Sequence, residues 1–214
     1  MIDNFSISEI DGLNLINRNM KNILSVGIST NGNAEVEMLN RFDGVVTATT
    51  IDENGLESTR RIVEEKGLSS RIELKLEDVR DNNIYSDKYF DYIYARLVLH
   101  YLTDSELLGV LKEFRRVLKV DGLLYIVVRS DKCDEYHDGF ISYDKETGMT
   151  EHKTFTGRID KRRFHNIDSI SKIINDSGFK IKSIKDYDEK LYADYERTVE
   201  VTVRNNLIEV ICVK

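Results

Sequence analysis

Short apolar runs of strand length alternate along this chain with longer segments of helical periodicity. The seven runs that predict strands are 22–28, 45–51, 72–76, 90–95, 123–128, 179–184 and 207–213. Thr103 starts the most regular helical segment as a predicted N-cap, with Glu106 as its capping-box partner. This alternation is typical of stacked βαβ units and predicts a doubly wound α/β fold with a mostly parallel sheet.

The bulk properties of the chain suit one folded domain. Of its 214 residues, 41% are hydrophobic, which supplies enough apolar mass for a packed core. The formal net charge is −7, from 31 basic and 38 acidic residues, so there is no long-range attraction to a polyanion. We therefore expect a single domain over 1–214 that does not bind nucleic acid.

The two cysteines and the apolar segments indicate a cellular setting. Cys133 and Cys212 have neither CxxC nor metal-ligand spacing, so no metal site is predicted. Cys212 lies in an apolar run, which predicts a core position, whereas Cys133 lies among charged residues, which predicts an exposed loop. With no signal-like leader and no apolar segment of membrane-spanning length, we expect a cytoplasmic protein without a membrane segment.

The segment 133–166 interrupts the alternating pattern. It is polar, carries three of the four histidines and has a hairpin-like centre at 145–148. We predict that it is an insertion over one end of the sheet that acts as a lid and supplies substrate contacts. Its histidines are expected in solvent-exposed loops, and its basic run 160–163 is expected on a solvated surface.

A glycine-bearing loop follows the first predicted strand. Gly27, Ile28 and Ser29 open a polar stretch that ends at Asn33, before a predicted helix. Small residues let the backbone approach a ligand closely, and a helix N-terminus presents free N–H groups. The loop favours a nucleotide-type ligand, although an ordinary βα turn can also carry glycine and asparagine.

Two longer segments carry a family resemblance. Residues 91–102 read DYIYARLVLHYL, and residues 111–124 read LKEFRRVLKVDGLL with a predicted turn at Asp121-Gly122. They closely resemble the region from strand four to strand five of class I S-adenosylmethionine-dependent methyltransferases that act on small molecules. Val120-Asp121 replaces the Pro-Gly of that family. The resemblance implies a seven-stranded sheet with an antiparallel last strand, S-adenosylmethionine as the cofactor and a small-molecule substrate.

The resemblance also shows a loss in the first strand. The family's strand acid and its three glycines correspond here to Ser25, Gly27, Ser29 and Asn31. One glycine is kept, and the carboxylate that normally lies near the ammonium group of the cofactor is absent. Without such carboxylates the chain would lose charge-assisted hydrogen bonds of about 1.5–3 kcal/mol each.

The remaining cofactor residues follow from the ends of strands two and three. The ribose-binding acid of the family corresponds to Thr50, unless Asp52 serves instead. Asp78 matches the acid that accepts a hydrogen bond from the adenine amino group, although it could equally cap a turn. The full set that the resemblance implies for the cofactor is Ser25, Gly27, Ile28, Ser29, Thr50, Ile51, Asp78, Val79 and Arg96.

His100 and Tyr101 are the candidate catalytic residues. They follow strand four at the carboxyl edge of the sheet, where α/β proteins bind ligands. A histidine there would serve as a general base, because its ordinary pKa lies near working pH. The alternative is a histidine and a tyrosine that only pack at a helix start. A base is needed only for an acceptor that must lose a proton, because the sulfonium already activates the methyl group.

Three functions follow in order of preference. The first is methyl transfer from S-adenosylmethionine to a small molecule, without a metal ion. The losses at Ser25 and Thr50 keep open a catalytically inactive binding or scaffold subunit of the same fold, with a protein partner or as a homodimer. A Rossmann-type oxidoreductase ranks last because the full GxGxxG motif is missing.

Overall fold

Strands and helices alternate along the chain as the hydrophobic pattern predicts. The computed structural model of the protein describes residues 5–29, 32–81, 85–154, 156–192 and 199–214. Its elements are α1 (Ile7–Asn14), β1 (Asn22–Val26), α2 (Asn33–Arg41), β2 (Val45–Thr50), α3 (Glu53–Glu65), β3 (Ile72–Leu76), β4 (Phe90–Arg96), α4 (Asp104–Val117), β5 (Leu118–Arg129), α5 (Asp134–His137), β6 (Phe140–Tyr143), β7 (Thr150–Lys153), β8 (Ile159–Arg162), α6 (Ile167–Asp176), β9 (Lys180–Asp188) and β10 (Asn206–Val213).

Seven of these strands form one sheet in the order β3-β2-β1-β4-β5-β10-β9. β1 to β5 are parallel, and β10 is antiparallel to both of its neighbours. The predicted mostly parallel sheet with an antiparallel last strand is therefore confirmed. β1 pairs with β2 on one side and with β4 on the other, so the winding direction changes there. In open α/β sheets, the ligand crevice lies at the carboxyl ends of the strands at such a point.

Helices cover both faces of the sheet. One apolar cluster joins the sheet to α4 and α6, with Phe114 and Ile174 almost fully buried. The other joins it to α1 and α2, with Leu13 and Met38 fully buried. Each helix buries one apolar stripe, which matches the 3.6-residue period of its sequence. No helix in the described ranges is long and apolar enough to cross a bilayer.

The region between α4 and β5 confirms one local prediction and corrects another. Thr103 and Glu106 form the predicted capping box, in which the Glu106 amide donates to Thr103 Oγ1 at 3.3 Å and the Thr103 amide donates to Glu106 Oε2 at 2.9 Å. The predicted turn at Asp121-Gly122 is wrong, because β5 already begins at Leu118. Its pairing with β4 shifts register between Phe90 and Tyr92, so the extra β5 residues form an irregularity inside the strand.

The insertion 133–166 is more ordered than its polar sequence predicts. After the short α5, strands β6, β7 and β8 form a separate three-stranded antiparallel sheet. The predicted hairpin centre joins β6 to β7, with Gly148 at a φ of +74°.

Several residues of this insertion that are predicted to be exposed are buried instead. Cys133 is fully buried, and its thiol donates to the Asn206 carbonyl oxygen at 3.0 Å. His152 and His165 are also fully buried, whereas His137 is exposed as expected. In the basic run, Arg162 is only 8% exposed, because an acidic partner holds it inside. The sequence around Arg162 does not reveal this distant partner. The prediction that the basic run lies on a solvated surface is therefore wrong for Arg162.

Helix α1 is attached to the sheet by tyrosine hydroxyls. Tyr92 donates to the Gly12 carbonyl oxygen at 2.8 Å, and Tyr125 donates to the Ser8 carbonyl oxygen at 2.5 Å. Tyr94 stacks on Tyr125 with ring centroids 5.5 Å apart. Gly12 lies at the point of closest approach, where a helix with a side chain could not come so near the rings.

We expect Gly12→Ala to destabilise the fold. A Cβ atom at Gly12 would lie 2.6 Å from ring carbons of both Tyr94 and Tyr125, and these buried rings cannot move aside. Such overpacking costs about 1–3 kcal/mol in the free energy of unfolding. The matched control is Gly109→Ala on the exposed side of α4, where no atom lies within 4 Å and a gain of about 0.5–1 kcal/mol is expected. Urea unfolding measures both, and equal effects would contradict the close packing of α1.

Candidate functional site

A cavity of about 240 Å³ opens at the carboxyl ends of β1, β2 and β3, beside the point where the winding reverses. It brings together six residues that the sequence predicts for the site: Gly27, Thr50, Ile51, Asp78, Val79 and Tyr101. The other lining residues are Val26, Thr49, Glu77, Arg80, Val98 and Leu102. The predicted residues Ser25, Ile28, Ser29, Arg96 and His100 are not part of this lining.

The loop after β1 needs glycine at its first position. Gly27 has a φ of +75°, and a Cβ atom there would lie 3.1 Å from the side chain of Val98. The amides of Gly27 and Ile28 both donate to the Thr49 carbonyl oxygen at 2.9 Å. These bonds turn the chain away from β1 so that bare backbone, without a side chain, faces the cavity.

Ser25 and Ser29 hold a buried carboxylate that the sequence prediction missed. Ser25 Oγ donates to Glu35 Oε1 at 2.7 Å, and Ser29 Oγ donates to Glu35 Oε2 at 2.6 Å. The Ser29 amide also donates to Glu35 Oε1 at 3.2 Å. Glu35 lies in the first turn of α2 and is fully buried. Asn31, the other loop position of the family pattern, lies outside the described residues.

Asp78 lies in the cavity wall with an arginine that the sequence prediction also missed. It accepts from the Arg80 amide and from Arg80 Nε, each at 2.9 Å. The Arg80 guanidinium holds the pKa of Asp78 below its usual range, so the carboxylate is ionised. Glu77 adds a second carboxylate to the wall and accepts from the Tyr85 hydroxyl at 2.7 Å.

The end of β2 presents a hydroxyl and an apolar side chain to the cavity instead of an acid. Thr50 Oγ1 accepts from the Asp52 amide at 3.0 Å. Asp52, the alternative ribose-binding acid, is the N-cap of α3, accepts from the Asn54 amide at 3.1 Å and does not line the cavity. Ile51 is 74% exposed and forms the rim.

Arg96 is engaged in binding α1. Its guanidinium donates to Ser8 Oγ at 2.6 Å, to Ser6 Oγ at 2.8 Å and to Glu189 Oε1 at 2.9 Å. These contacts join the end of β4 to the N-terminus of α1 and to the residue after β9. A cofactor role for Arg96 stays a prediction, since these contacts direct its guanidinium toward the protein interior.

Tyr101 and His100 occupy different environments although they are adjacent. Tyr101 is 49% exposed and lines the cavity, whereas His100 is 2% exposed and lies behind it with ring centroids 4.5 Å apart. Burial, together with the charges of Arg129 and Arg162, holds the pKa of His100 well below its usual value. The histidine is therefore neutral and weakly basic, and its role as general base stays a prediction.

A buried polar cluster lies between His100 and the insertion. Glu135 Oε2 pairs with Arg162 Nη1 at 2.8 Å and with Arg129 Nη1 at 3.3 Å. Burial lowers the pKa of His165 to about 3, and burial followed by the charge of Arg162 lowers that of His152. Within the described ranges, no three His, Cys, Asp or Glu side chains converge as metal ligands would.

Sequence comparison matches the first part of the sheet to a known family. Residues 23–122 match the profile of a family described as a methyltransferase domain. Comparison with curated protein sequences gives no significant match. The matching segment runs from β1 to the middle of β5 and so contains every strand whose end lines the cavity.

Solved structures with the same fold agree with this match. An S-adenosylmethionine-dependent methyltransferase from Methanosarcina mazei superposes with a TM-score of 0.74 and 19% identity, over 94% of this chain and 95% of that one. Another from Clostridium acetobutylicum gives a TM-score of 0.65 and 16% identity, over 91% and 85% of the two chains. The cyclase SpnF gives 0.65 and 16%, over 96% and 78%, so the fold by itself does not define the reaction.

Just under half of this chain therefore matches a methyltransferase domain, the whole chain shares the fold of S-adenosylmethionine-dependent methyltransferases, and S-adenosylmethionine is the cofactor that this likeness implies. The cavity fits that group. Gly27 leaves room that any Cβ atom would fill, Asp78 supplies an ionised acceptor, and Ile51 and Val79 supply apolar surface.

We expect the buried histidines to destabilise the protein in mild acid. The folded-state pKa of His165, about 3, lies below its unfolded value near 6.5, so the unfolded chain takes up the proton first. Stability is then lost as the pH falls from about 6.5 toward 3, and His165 alone should cost about 2 kcal/mol at pH 5. In His165→Asn, the difference in unfolding free energy between pH 8 and pH 5 should shrink by that amount.

The matched control is His137→Asn, because His137 is exposed in the same insertion. Urea unfolding of both variants at pH 8 and pH 5 measures the difference. An equal pH dependence of wild type and His165→Asn would contradict a neutral, buried His165.

Proposed function

We propose that the protein transfers a methyl group from S-adenosylmethionine to a small-molecule acceptor. The observation that supports this most is the cavity at the reversal of the sheet, where the ends of β1, β2 and β3 meet Tyr101. When bound, the cofactor supplies a sulfonium-activated methyl group. The chain itself has to bind the cofactor and the acceptor, orient them and exclude water. These effects are the main sources of the rate acceleration for such a transfer.

The cofactor side of the cavity has a role for each polar residue. Asp78 is placed to accept from the adenine amino group, since Arg80 keeps it ionised. The Thr50 hydroxyl and the Glu77 carboxylate are the polar groups available to the ribose hydroxyls. Gly27 lets the ligand approach the backbone. Glu77 thus offers a carboxylate from β3 where the family pattern places one on β2.

The acceptor side is formed by Tyr101, with His100 behind it. Tyr101 lines the cavity and its hydroxyl is the group available to orient an acceptor, while the Arg162 guanidinium lies over the tyrosine ring, 5.4 Å from its centroid. His100 keeps the tyrosine ring in place from the buried side. An acceptor that reacts through an atom with a free lone pair needs no stronger base than this arrangement supplies.

The insertion 133–166 is the proposed lid of this single domain. It contacts the edge of the site through Arg163, whose amide donates to the His100 carbonyl oxygen at 2.8 Å and whose guanidinium pairs with Asp104 at 2.7 Å. The Asp104 amide in turn donates to the Thr147 carbonyl oxygen at 3.1 Å. A three-stranded sheet of this size covers a small molecule but offers little surface to a polymer, and the net charge of −7 disfavours nucleic acid.

A second candidate function, a binding or scaffold subunit without catalysis, is favoured by the loop after β1. The Ser29 amide donates to Glu35, and the Ala34 amide donates to Ser29 Oγ at 3.0 Å. Backbone N–H groups that would otherwise face a ligand at the start of α2 are thus satisfied within the protein.

We expect Asp78→Ala to weaken S-adenosylhomocysteine binding by roughly ten-fold or more, because a hydrogen bond to a charged acceptor contributes about 1.5–3 kcal/mol. Calorimetric titration of the purified chain measures the dissociation constant. Asp121→Ala is the matched control, since it removes an exposed carboxylate at the opposite edge of the sheet. Equal affinity in wild type and Asp78→Ala would place the adenine group elsewhere.

We expect label from methyl-labelled S-adenosylmethionine to enter the small-molecule fraction of a metabolite extract, and not tRNA or DNA supplied beside it. Tyr101→Phe should lower the transfer rate roughly five-fold, as the loss of one hydrogen bond implies, with little change in cofactor affinity. Tyr143→Phe is the matched control, because Tyr143 is exposed on β6.

The outcomes of the labelling experiment separate the two functions. Label in nucleic acid alone would refute the small-molecule acceptor. Tight cofactor binding without transfer to any fraction would favour the scaffold subunit over the enzyme.

A further inference from the structure

Glu35 is a fully buried carboxylate whose hydrogen-bond partners are all neutral. It accepts from two serine hydroxyls and one backbone amide, and no lysine or arginine in the described part of the chain pairs with it. Both of its oxygens thus accept hydrogen bonds, as those of a carboxylate do. A buried charge without a counter-charge costs free energy of folding. A positive group bound nearby would offset that cost.

The surroundings of Glu35 contain further buried acids. Burial raises the pKa of Tyr94 well above its usual value, with Arg96 opposing this rise and Glu9, Glu35 and Glu189 adding to it. The three carboxylates are between 0% and 5% exposed, and Arg96 pairs with Glu189 at 2.9 Å and with Glu9 at 3.9 Å. The Tyr94 hydroxyl itself is buried and has no hydrogen-bond partner among the described residues. Among the described residues, Glu35 is therefore the one of these three acids that Arg96 does not pair with.

This environment lies beside the cofactor loop. Ser25 and Ser29, which hold Glu35, flank Gly27 in the cavity wall by two residues on each side. Val98, two residues after Arg96, packs against Gly27 from β4. Glu35 is thus hydrogen-bonded to residues on both sides of the turn at Gly27.

We propose that Glu35 supplies from α2 the carboxylate that Ser25 lacks on β1, and that its charge favours the sulfonium and ammonium groups of S-adenosylmethionine. The inference rests on the proposed function, since it assumes that the cavity binds this cofactor. Because Glu35 is fully buried, it acts as a positioning residue, through the Ser25–Ser29 loop and through its field, without touching the ligand.

Glu35→Gln isolates the charge from the structure. A glutamine Oε1 can still accept from Ser25 Oγ and the Ser29 amide. Its Nε2 can donate to Ser29 Oγ, which has a second lone pair beside the one used by the Ala34 amide. The variant keeps the shape and a hydrogen bond to each of these groups, reverses the direction of the bond to Ser29 Oγ, and removes the carboxylate. Glu37→Gln is the matched control, because Glu37 lies two residues further along the same helix and pairs with Arg41 outside the loop.

The test compares by calorimetry on the full chain three ligands that carry two, one and no positively charged groups. S-adenosylmethionine carries a sulfonium, an ammonium and a carboxylate, S-adenosylhomocysteine keeps the ammonium and the carboxylate, and 5′-methylthioadenosine carries none of the three. Glu35→Gln should weaken the first roughly ten-fold, as a lost charge about 10 Å away implies at an effective dielectric constant of about 20. It should weaken the second less and leave the third unchanged, and Glu37→Gln should change none.

A second variant tests the relocation itself. Ser25→Asp alone places two carboxylates at hydrogen-bond distance and should lower the unfolding temperature. The exchanged pair Ser25→Asp with Glu35→Ser restores one carboxylate and should recover the preference for S-adenosylmethionine over 5′-methylthioadenosine. Equal weakening of all three ligands by Glu35→Gln, or no weakening of any, would overturn the inference. A wild-type chain that binds none of them would overturn the proposed function, and the inference with it.

Discussion

The parallel pairing of β1 with β2 on one side and with β4 on the other determines where every candidate functional group lies. A strand held between two parallel neighbours has to release its loop at the carboxyl edge, and the change of winding direction leaves a crevice there. The loop at Gly27 borders this crevice, and Val98, which follows β4, packs against Gly27. The ends of β2 and β3 then contribute Thr50 and Asp78 without any further adjustment of the backbone.

Buried charged groups lie behind both walls of this crevice. On the side of the first loop, Arg96 pairs with Glu9 and Glu189, and Glu35 is held by serines. On the side of the insertion, Arg129 and Arg162 pair with Glu135, Arg162 also pairs with Asp160, and burial lowers the pKa values of the three nearby histidines. Tyr101 lies where the second region meets the cavity. The fold fixes both sets of charges before any ligand binds, so they require no reorganisation on binding.

The sequence predicted those features that are local in the chain. The positions of the strands along the chain, the Thr103 capping box and the cavity residues at strand ends follow from periodicity, from capping residues and from the rule that carboxyl ends meet at one edge. Apart from the wrong turn at Asp121-Gly122, the features that the sequence did not predict depend on partners distant in sequence or in the next element. Cys133 is buried by β10, Arg162 by the carboxylate of α5, and Glu35 by serines of the preceding loop. A single sequence carries no signal for such pairs, because each member alone resembles an ordinary surface residue.

The contact between Ser25 and Glu35 also restricts how this chain can change over evolutionary time. An acid at position 25 is incompatible with one at position 35, and a chain with neither would leave the loop without a carboxylate. Each single step between the two arrangements passes through an intermediate that is either electrostatically strained or under-charged, so the two sites are strongly coupled. A chain that moves the carboxylate between the helix and the strand therefore has to change both positions together. A sequence pattern that requires the acid at position 25 does not match this chain, although the sheet has the strand order of the fold.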